Sequence, residues 1–204
     1  MMNQAPHVMD LFIQLGGMPC AVYGRTETRM HRIEVEDLAE ALLRYPNGGT
    51  GYLACSTNEF GPGQMIELFG DRGKLVYRDG ALRLFRFKPA IRTCITRARG
   101  PWEKPSLHEV PLKIDGQAPG QAAVLRNLVR HLLRGEPLVT EAQTAWASLE
   151  LANAITLSAH EDRWVTLPIR RAAYDRLLAE RRRTSSFVKP GRRDQRVTDP
   201  RLAP

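Results

Sequence analysis

A histidine and an amide side chain lie four residues apart near the start of the chain, at His7 and Asn3. The segment from Asn3 to Leu15 has apolar residues at helical spacing, and residues i and i+4 of a helix share one face. We therefore expect Asn3 and His7 to project into the same space. An imidazole beside an amide can exchange a proton with a hydroxyl or a carbonyl near neutral pH. On spacing alone, the same pattern also fits a histidine on an ordinary helix surface.

The remaining histidines and the cysteines form no recognisable reactive site. Neither HExxH nor CxxC spacing occurs, so no metal site is expected. The histidines other than His7 are His31, His108, His131 and His160. The cysteines are Cys20, Cys55 and Cys94. An odd number of cysteines without paired spacing is typical of free thiols in a reducing compartment, which predicts a cytoplasmic protein.

One glycine motif imitates a dinucleotide-binding loop. Gly49 to Ala54 satisfies G-x-G-x-x-A, and Asp71 follows at about the expected distance. Such a loop must close a strand and open a helix, whose amides then hold the pyrophosphate. Here the glycines follow Pro46 and Asn47, and too few residues remain before Gly61 for a crossover helix. The pattern favours a β-hairpin, and no cofactor-binding residue is predicted in this chain.

The first half of the chain reads as a helix followed by strands joined by tight turns. The segment 36–45 is ambiguous between helix and strand, but the hairpin turn after it favours a strand. Asp/Gly turns separate three further short apolar segments, which indicates an antiparallel meander. The predicted strands are 36–45, 52–57, 65–69, 74–77 and 82–87.

The second half is predicted to be a long loop followed by helices. Residues 88–118 are rich in Pro and charge, and we expect a loop with a short strand at 109–114. Gln121–Leu133 has helical periodicity and ends before Gly135, a residue suited to a helix C-terminus. A capping box at Thr140 to Gln143 predicts a helix through Ala159. A short extended segment at 165–168 precedes a last helix over 171–183. The order predicts an α+β fold, with helices on one face of an open, mostly antiparallel sheet and a basic C-terminal tail.

The positive charge is concentrated at the C-terminal end. The formal net charge is +8, and residues 170–204 contain 11 Arg/Lys but only 4 Asp/Glu. We therefore divide the chain into a main domain over 1–169 and a terminal helix with basic tail over 170–204. A nucleic-acid binder would instead concentrate its cations on a folded face, so this pattern does not favour nucleic acid. Apolar runs are too short for a membrane-spanning helix.

Several segments together resemble the C-terminal domain of the Gfo/Idh/MocA oxidoreductases, the family of glucose–fructose oxidoreductase and inositol dehydrogenase. Their order and spacing carry the resemblance along the whole chain. The principal segments are 3–12 (NQAPHVMDLF), 15–19 (LGGMP), 42–49 (LLRYPNGG), 66–75 (IELFGDRGKL), 149–155 (LELANAI) and 165–168 (VTLP).

The resemblance implies an NAD(P)-dependent enzyme that oxidises sugars, polyols or related hydroxyl compounds. By analogy, His7 would be the catalytic acid/base, and Asn3 and Gln4 would contact substrate. The family's N-terminal Rossmann domain, which holds NAD or NADP, has no counterpart in this sequence, and the nicotinamide carries the hydride chemistry. We therefore expect the chain alone to be inactive.

Three readings of the whole chain remain open. The first is the substrate-binding and oligomerisation part of such an oxidoreductase, forming a homo-oligomer through the open face of its sheet. The second is a non-catalytic carbohydrate-binding module, or a split subunit that works with a separate Rossmann chain. The third is a nucleic-acid binder that acts through its arginine-rich tail, which would show steeply salt-dependent binding.

Overall fold

The structure is a computed structural model, and it describes residues 1–2, 4–61, 63–113 and 120–188. Within these residues the fold is α+β, as the sequence predicts. The strands form two four-stranded antiparallel sheets, with the orders β3-β2-β1-β8 and β4-β5-β6-β7, where a single sheet was expected. The strands are β1 (Ala21–Glu27), β2 (Leu38–Arg44), β3 (Thr50–Ser56), β4 (Met65–Gly70), β5 (Gly73–Arg78), β6 (Ala81–Lys88), β7 (Ser106–Val110) and β8 (Val165–Thr166).

The helices that the sequence predicts are all present, although some begin elsewhere. The α-helices are α1 (Pro6–Gly16), α2 (Ile91–Arg97), α3 (Gly120–Arg134), α4 (Ala145–Glu161) and α5 (Arg171–Thr184). Gly135 ends α3 with φ +68°, and its N–H donates to the His131 carbonyl at 2.8 Å. Only a residue that tolerates the left-handed region fits this position well, which is why glycine ends the helix here.

The first sheet carries the core of the protein. On β2, the residues that face the helices are buried while Leu42 and Arg44 are exposed. This alternation is typical of a sheet with one face packed and one face open. Helix α4 lies across β1 and β2 and also contacts α1 and α5. The fully buried large side chains are Met9, Val22, Leu43, Leu151 and Ile155.

The open face of the first sheet presents aromatic and aliphatic side chains in register. Tyr23 on β1 pairs with Leu42 on β2, and Leu42 pairs with Tyr52 on β3. Leu42 and Tyr52 remain 51% and 58% exposed. At the other side of the same face, the Arg44 guanidinium lies 4.0 Å from the centre of the Trp164 ring. This face therefore presents aromatic, aliphatic and charged side chains, and no helix among the described residues covers it.

The loop predicted over 88–118 contains a helix, α2, that the sequence did not predict. The N-terminus of α2 is capped by Asp71, whose side chain accepts the Arg92 N–H at 2.8 Å while its carbonyl accepts the Ile91 N–H at 2.9 Å. Because Asp71 lies in the β4–β5 turn, the cap is distant in sequence. The strand predicted at 109–114 begins earlier in the structure, where β7 covers Ser106–Val110. It pairs with β6 from Leu84 to Lys88. Residues 114–119 lie outside the described residues.

Two helix starts also differ from prediction. Helix α1 begins at Pro6 rather than Asn3, since proline has no N–H to donate to the preceding turn but suits the first helical position. The predicted capping box at Thr140 does not form. Instead a 3-10 turn, Ala142–Thr144, precedes α4, and the Thr144 hydroxyl donates to the Glu141 carbonyl at 2.8 Å. The basic tail beyond residue 188 lies outside the described residues.

Candidate functional site

The N-terminal turn of α1 carries the residues expected to do chemistry. Gln4 lies in the turn before the helix, and His7 is its second residue. Both side chains are exposed. Asn3 lies outside the described residues, so its predicted partnership with His7 stays a prediction. Met9, which is fully buried, fixes the opposite side of α1 against the core.

A cavity of about 670 Å³ opens beside this turn. Gln4 and Val8, one helical turn apart, lie on its α1 side. His7 is not among the lining residues, because it lies about 100° around the helix from Val8. The remaining walls come from the start of β2, the end of β3 and the loop that leads to β4. The lining residues that can hydrogen bond through their side chains are Gln4, Asp37, Ser56, Thr57, Glu59 and Gln64.

Asp37 holds two loops together at the edge of the cavity. Its carboxylate accepts backbone N–H groups from Arg29, Met30 and His31 at 2.8 to 3.0 Å. It also accepts the Asn58 side-chain N–H at 2.9 Å, and its own carbonyl accepts the Thr57 N–H at 3.0 Å. The loop before β2 and the loop after β3 are therefore tied to a single side chain.

These contacts determine the charge state of Asp37. Its side chain is fully buried, and desolvation on its own would raise its pKa. The hydrogen bonds from the His31 backbone, the Asn58 side chain and the Met30 and Arg29 backbones outweigh that effect and hold the pKa of Asp37 well below its usual range. Asp37 is thus an ionised structural anchor whose hydrogen-bonding capacity is used by the protein itself.

One lining residue of the cavity was a candidate from the sequence: Gln4, predicted to contact substrate, lies in its wall. Asp37, Ser56, Thr57, Glu59 and Gln64 were not predicted as site residues. No local signal marks them, because they come from three separate segments that the β2–β3 hairpin and the following loop bring together.

The described residues contain no dinucleotide-binding loop. Gly49 and Gly51 belong to the β2–β3 hairpin, as predicted: the Tyr45 N–H donates to the Gly49 carbonyl at 2.9 Å, and Gly51 pairs with Leu43. The glycines therefore join two strands instead of opening a helix, so this motif does not form a pyrophosphate-binding loop. Across the described ranges, no three His, Cys, Asp or Glu side chains converge as a metal site, and no helix there is long and apolar enough to cross a membrane.

The chain is similar in fold to solved dehydrogenases. The WlbA dehydrogenase from Bordetella pertussis, in complex with NADH and UDP-GlcNAcA, is 23% identical with a TM-score of 0.59, over 83% of this chain and 45% of that one. The WlbA dehydrogenase from Chromobacterium violaceum is 25% identical with a TM-score of 0.59, over 83% and 46%. Levoglucosan dehydrogenase, in complex with NADH and levoglucosan, is 17% identical with a TM-score of 0.58, over 81% and 49%.

The similarity covers only part of those proteins. The chain spans about half the length of the solved structures that it matches. No curated protein matches the sequence. The family model of the GFO/IDH/MocA C-terminal domain matches residues 1–76 of this chain by sequence. This range includes α1, the β2–β3 hairpin and the residues that line the cavity. Residues 1–76 are therefore similar in sequence to a GFO/IDH/MocA C-terminal domain, and most of the chain is similar in fold to part of these dehydrogenases.

Proposed function

We propose that this chain is the substrate-binding and oligomerisation part of an NAD(P)-dependent oxidoreductase that acts on a sugar, a polyol or a related hydroxyl compound. One observation carries the proposal: Gln4, at the start of α1, shares a cavity of about 670 Å³ with the hydroxyl and amide side chains of Ser56, Thr57 and Gln64. Such groups can both donate to and accept from the hydroxyls of a ligand.

His7 is the acid/base in this proposal. It is exposed on the first turn of α1, three residues after Gln4. In the part of the chain that the structure describes, no hydrogen bond engages its ring, so the imidazole is available to a ligand held by Gln4. A neutral imidazole can take the proton of a hydroxyl group as that group is oxidised. Asn3, predicted to orient the substrate, completes the proposed set.

NAD or NADP would be bound outside the described residues of this chain. Two structures of similar dehydrogenases support this proposal. The Bordetella protein was solved in complex with NADH and UDP-GlcNAcA, and levoglucosan dehydrogenase was solved in complex with NADH and levoglucosan. This chain spans about half of each. We propose that a Rossmann-type domain, in the same polypeptide or on a partner chain, holds the nucleotide, and that this chain alone is inactive.

Restoring a nucleotide-binding domain tests the proposal. The chain would be coexpressed with the domain encoded immediately upstream of Met1 or beside it, and reduction of NAD or NADP would be followed with a panel of sugars and polyols. His7→Ala should lower the rate about 10²- to 10⁴-fold, the usual contribution of a general acid/base. His160→Ala, which removes an imidazole from α4, is the matched control and should leave the rate unchanged. Near-normal turnover by the His7→Ala variant would contradict the assignment.

A non-catalytic carbohydrate-binding module or split subunit is the second candidate. It is favoured by the absence of a dinucleotide-binding loop from the described residues, where Gly49 and Gly51 belong to a hairpin. The two candidates differ in one measurement. A module would bind a sugar through the cavity, yet it would show no turnover with any nucleotide-binding domain supplied.

The open face of the first sheet is the proposed oligomer contact. Tyr23, Leu42 and Tyr52 lie in register across it, and the Arg44–Trp164 pair lies at its side. Tyrosine, tryptophan and arginine are the residues most often found at the energetic centre of protein interfaces. We propose that a second copy of the chain covers this face.

A further inference from the structure

The two faces of the second sheet, β4-β5-β6-β7, differ in how their cations are balanced. Residues that pair directly across strands share a face, and faces alternate along each strand. On one face the cations are ion-paired: Lys74 with Glu67 at 2.8 Å, Arg83 with Glu109 at 2.7 Å and Arg78 with Asp79 at 3.7 Å. The cations of the opposite face are Arg86 and Lys88 on β6. Neither of them forms an ion pair with a described residue.

One row of residues across this opposite face combines a cation with open space. Gly70, Gly73, Arg86 and His108 pair in turn across β4, β5, β6 and β7. The first two contribute no side chain, and a Cβ on Gly70 would meet only the Gly73 carbonyl oxygen, at 3.8 Å. The Ser106 hydroxyl lies 2.9 Å from the His108 Nε2 atom and holds that ring at the far end of the row. Arg86 therefore lies between an imidazole and a strip of bare, exposed backbone.

Two further cations border this row. Lys88 lies two residues beyond Arg86 on β6, about 7 Å away on the same face. Arg72 lies in the β4–β5 turn, and its carbonyl accepts the Phe87 N–H at 3.0 Å, which places the turn beside the end of β6. All three cationic side chains are exposed. In the part of the chain that the structure describes, no carboxylate is paired with any of them.

The acidic residues next to the row in sequence are engaged elsewhere. The side chain of Asp71 accepts the Arg92 N–H at the start of α2, at 2.8 Å. Glu109 lies on the opposite face, where it accepts two N–H groups of Arg83 at 2.7 and 2.8 Å. The whole segment 63–113 contains 11 Arg/Lys but only 5 Asp/Glu. This end of the second sheet therefore has an excess of positive charge within the folded domain.

We propose that this row, together with Lys88 and Arg72, binds a phosphate group. The guanidinium of Arg86 can hold two phosphate oxygens through parallel N–H donors, and its charge is permanent. The glycines leave room for a tetrahedral group to approach the sheet. A phosphate monoester carries more negative charge at neutral pH than a carboxylate does, so several unbalanced cations favour phosphate.

This phosphate site is separate from the cavity beside α1. Met65, at the start of β4, lines the cavity, whereas Gly70 lies five residues further along the strand, about 17 Å away. The proposal therefore goes beyond the proposed function and does not depend on it. A result at one site leaves the other to be decided by its own experiment.

Titration of the whole chain with inorganic phosphate tests the site. The backbone amide signals of Gly70 and Gly73 would be followed by NMR at neutral pH and constant ionic strength, with chloride as the exchanged anion. We expect phosphate to shift these signals to saturation. The same series made with chloride alone should leave them in place.

Two arginines of β6 provide a matched pair of variants. Arg86→Gln removes the central cation and should weaken phosphate binding about tenfold or more, as for a lost hydrogen bond to a charged group. Arg83→Gln removes the same charge from the opposite face, and at about 0.15 M salt its long-range effect is largely screened. It should change the affinity less than about twofold. Both residues are exposed, and thermal unfolding would verify that both variants fold.

A second variant keeps the test independent of Arg86. Lys88→Gln removes an exposed cation from the same face and should weaken phosphate binding about threefold or more, as for the loss of one close charge pair in water. Should Arg86→Gln fail to fold, this comparison with Arg83→Gln decides the proposal in its place.

The source of the phosphate group is separated by an oligonucleotide. If the site holds a nucleic-acid backbone, eight-nucleotide oligothymidylate should bind more tightly than inorganic phosphate, with an affinity that falls steeply with salt. If it holds a small phosphate ester, the oligonucleotide should bind no more tightly than phosphate does. Either result supports a phosphate site. Phosphate that fails to shift the Gly70 and Gly73 signals, or an Arg83→Gln variant that loses as much affinity as Arg86→Gln, would overturn it.

Discussion

The hydroxyl of Ser158 on α4 accepts the backbone N–H of Gly24 on β1 at 2.9 Å. Strand β8 pairs with β1 only at Ala21 and Val22, so Gly24 lies beyond the end of β8 and needs another acceptor. Ser158 supplies it and is itself fully buried. One side chain therefore satisfies a strand edge that would otherwise be buried without a partner.

Gly24 is also the point of closest approach between β1 and α4. A Cβ added there would lie 2.5 Å from the Ile155 carbonyl oxygen and 3.1 Å from the Ile155 Cα. Because both contacts are with backbone atoms, the neighbour cannot move aside as a flexible side chain could. Gly24→Ala should lower the free energy of unfolding by about 1–3 kcal/mol through overpacking, measured by urea denaturation.

The control for this variant is Gly100→Ala. A Cβ on Gly100 would meet no atom within 4 Å, so the free energy of unfolding should change by no more than about 0.5 kcal/mol. Equal effects of the two substitutions would show that β1 and α4 are not packed as closely as described here.

Removing the Ser158 hydroxyl should leave the Gly24 N–H buried and unpaired. We expect Ser158→Ala to lower the free energy of unfolding by about 1–3 kcal/mol, the usual effect of an unsatisfied buried donor. Ser148→Ala is the control on the same helix, since the Ser148 hydroxyl donates only to the Ala145 carbonyl one turn earlier. It should have a clearly smaller effect in the same denaturation measurement. A loss as large in Ser148→Ala would contradict a special role for the Gly24 contact.

Local sequence signals predicted the elements that depend on local rules. The hairpin turn at Asn47 and Gly48 resolved the ambiguous segment before it as strand β2. Gly135 marked the end of α3 because a left-handed residue is needed there. In each case the residue that decides the structure lies within a few positions of the element it ends.

The features that were missed depend on contacts distant in sequence. Helix α2 is capped by Asp71, about 20 residues earlier, and its own sequence offers no cap. Glu59 and Gln64 join Gln4 in one cavity only after the hairpin has formed. Periodicity and turn chemistry do not encode such distances, so helix α1, which carries the candidate His7, was easier to predict than the walls of the cavity beside it.

The stability that Asp37 provides should depend on pH. Its folded-state pKa is held below the unfolded value by hydrogen bonds from the His31 backbone, the Asn58 side chain and neighbouring N–H groups. A lowered pKa stabilises the folded state above the unfolded pKa, which is about 3.9 for aspartate, and the effect is lost as pH falls below it. Asp37→Asn should therefore lower the melting temperature by several degrees near neutral pH, and the difference should narrow below about pH 4.

Asp175→Asn is the matched control for that measurement. Asp175 is exposed on α5, so its neutralisation should change the melting temperature little at either pH. If the difference between the wild-type chain and the Asp37→Asn variant stayed constant from neutral pH to pH 3, the ionised carboxylate would not be what holds the two loops.

The open sheet face should be the site where two copies of the chain associate. Leu42 lies between Tyr23 and Tyr52 in register and is half exposed, so a charge placed there would be buried by a partner but tolerated by the single chain. We expect Leu42→Glu to weaken self-association about 30-fold or more, as for a residue at the centre of an interface. Sedimentation velocity over a concentration series would measure the change.

Leu133→Glu puts the same charge on the apolar side of α3, where Leu133 is 77% exposed, and should leave the association constant unchanged. Dissociation by Leu133→Glu alone would instead move the contact to α3, and a wild-type chain that stays monomeric at micromolar concentration would rule out both surfaces.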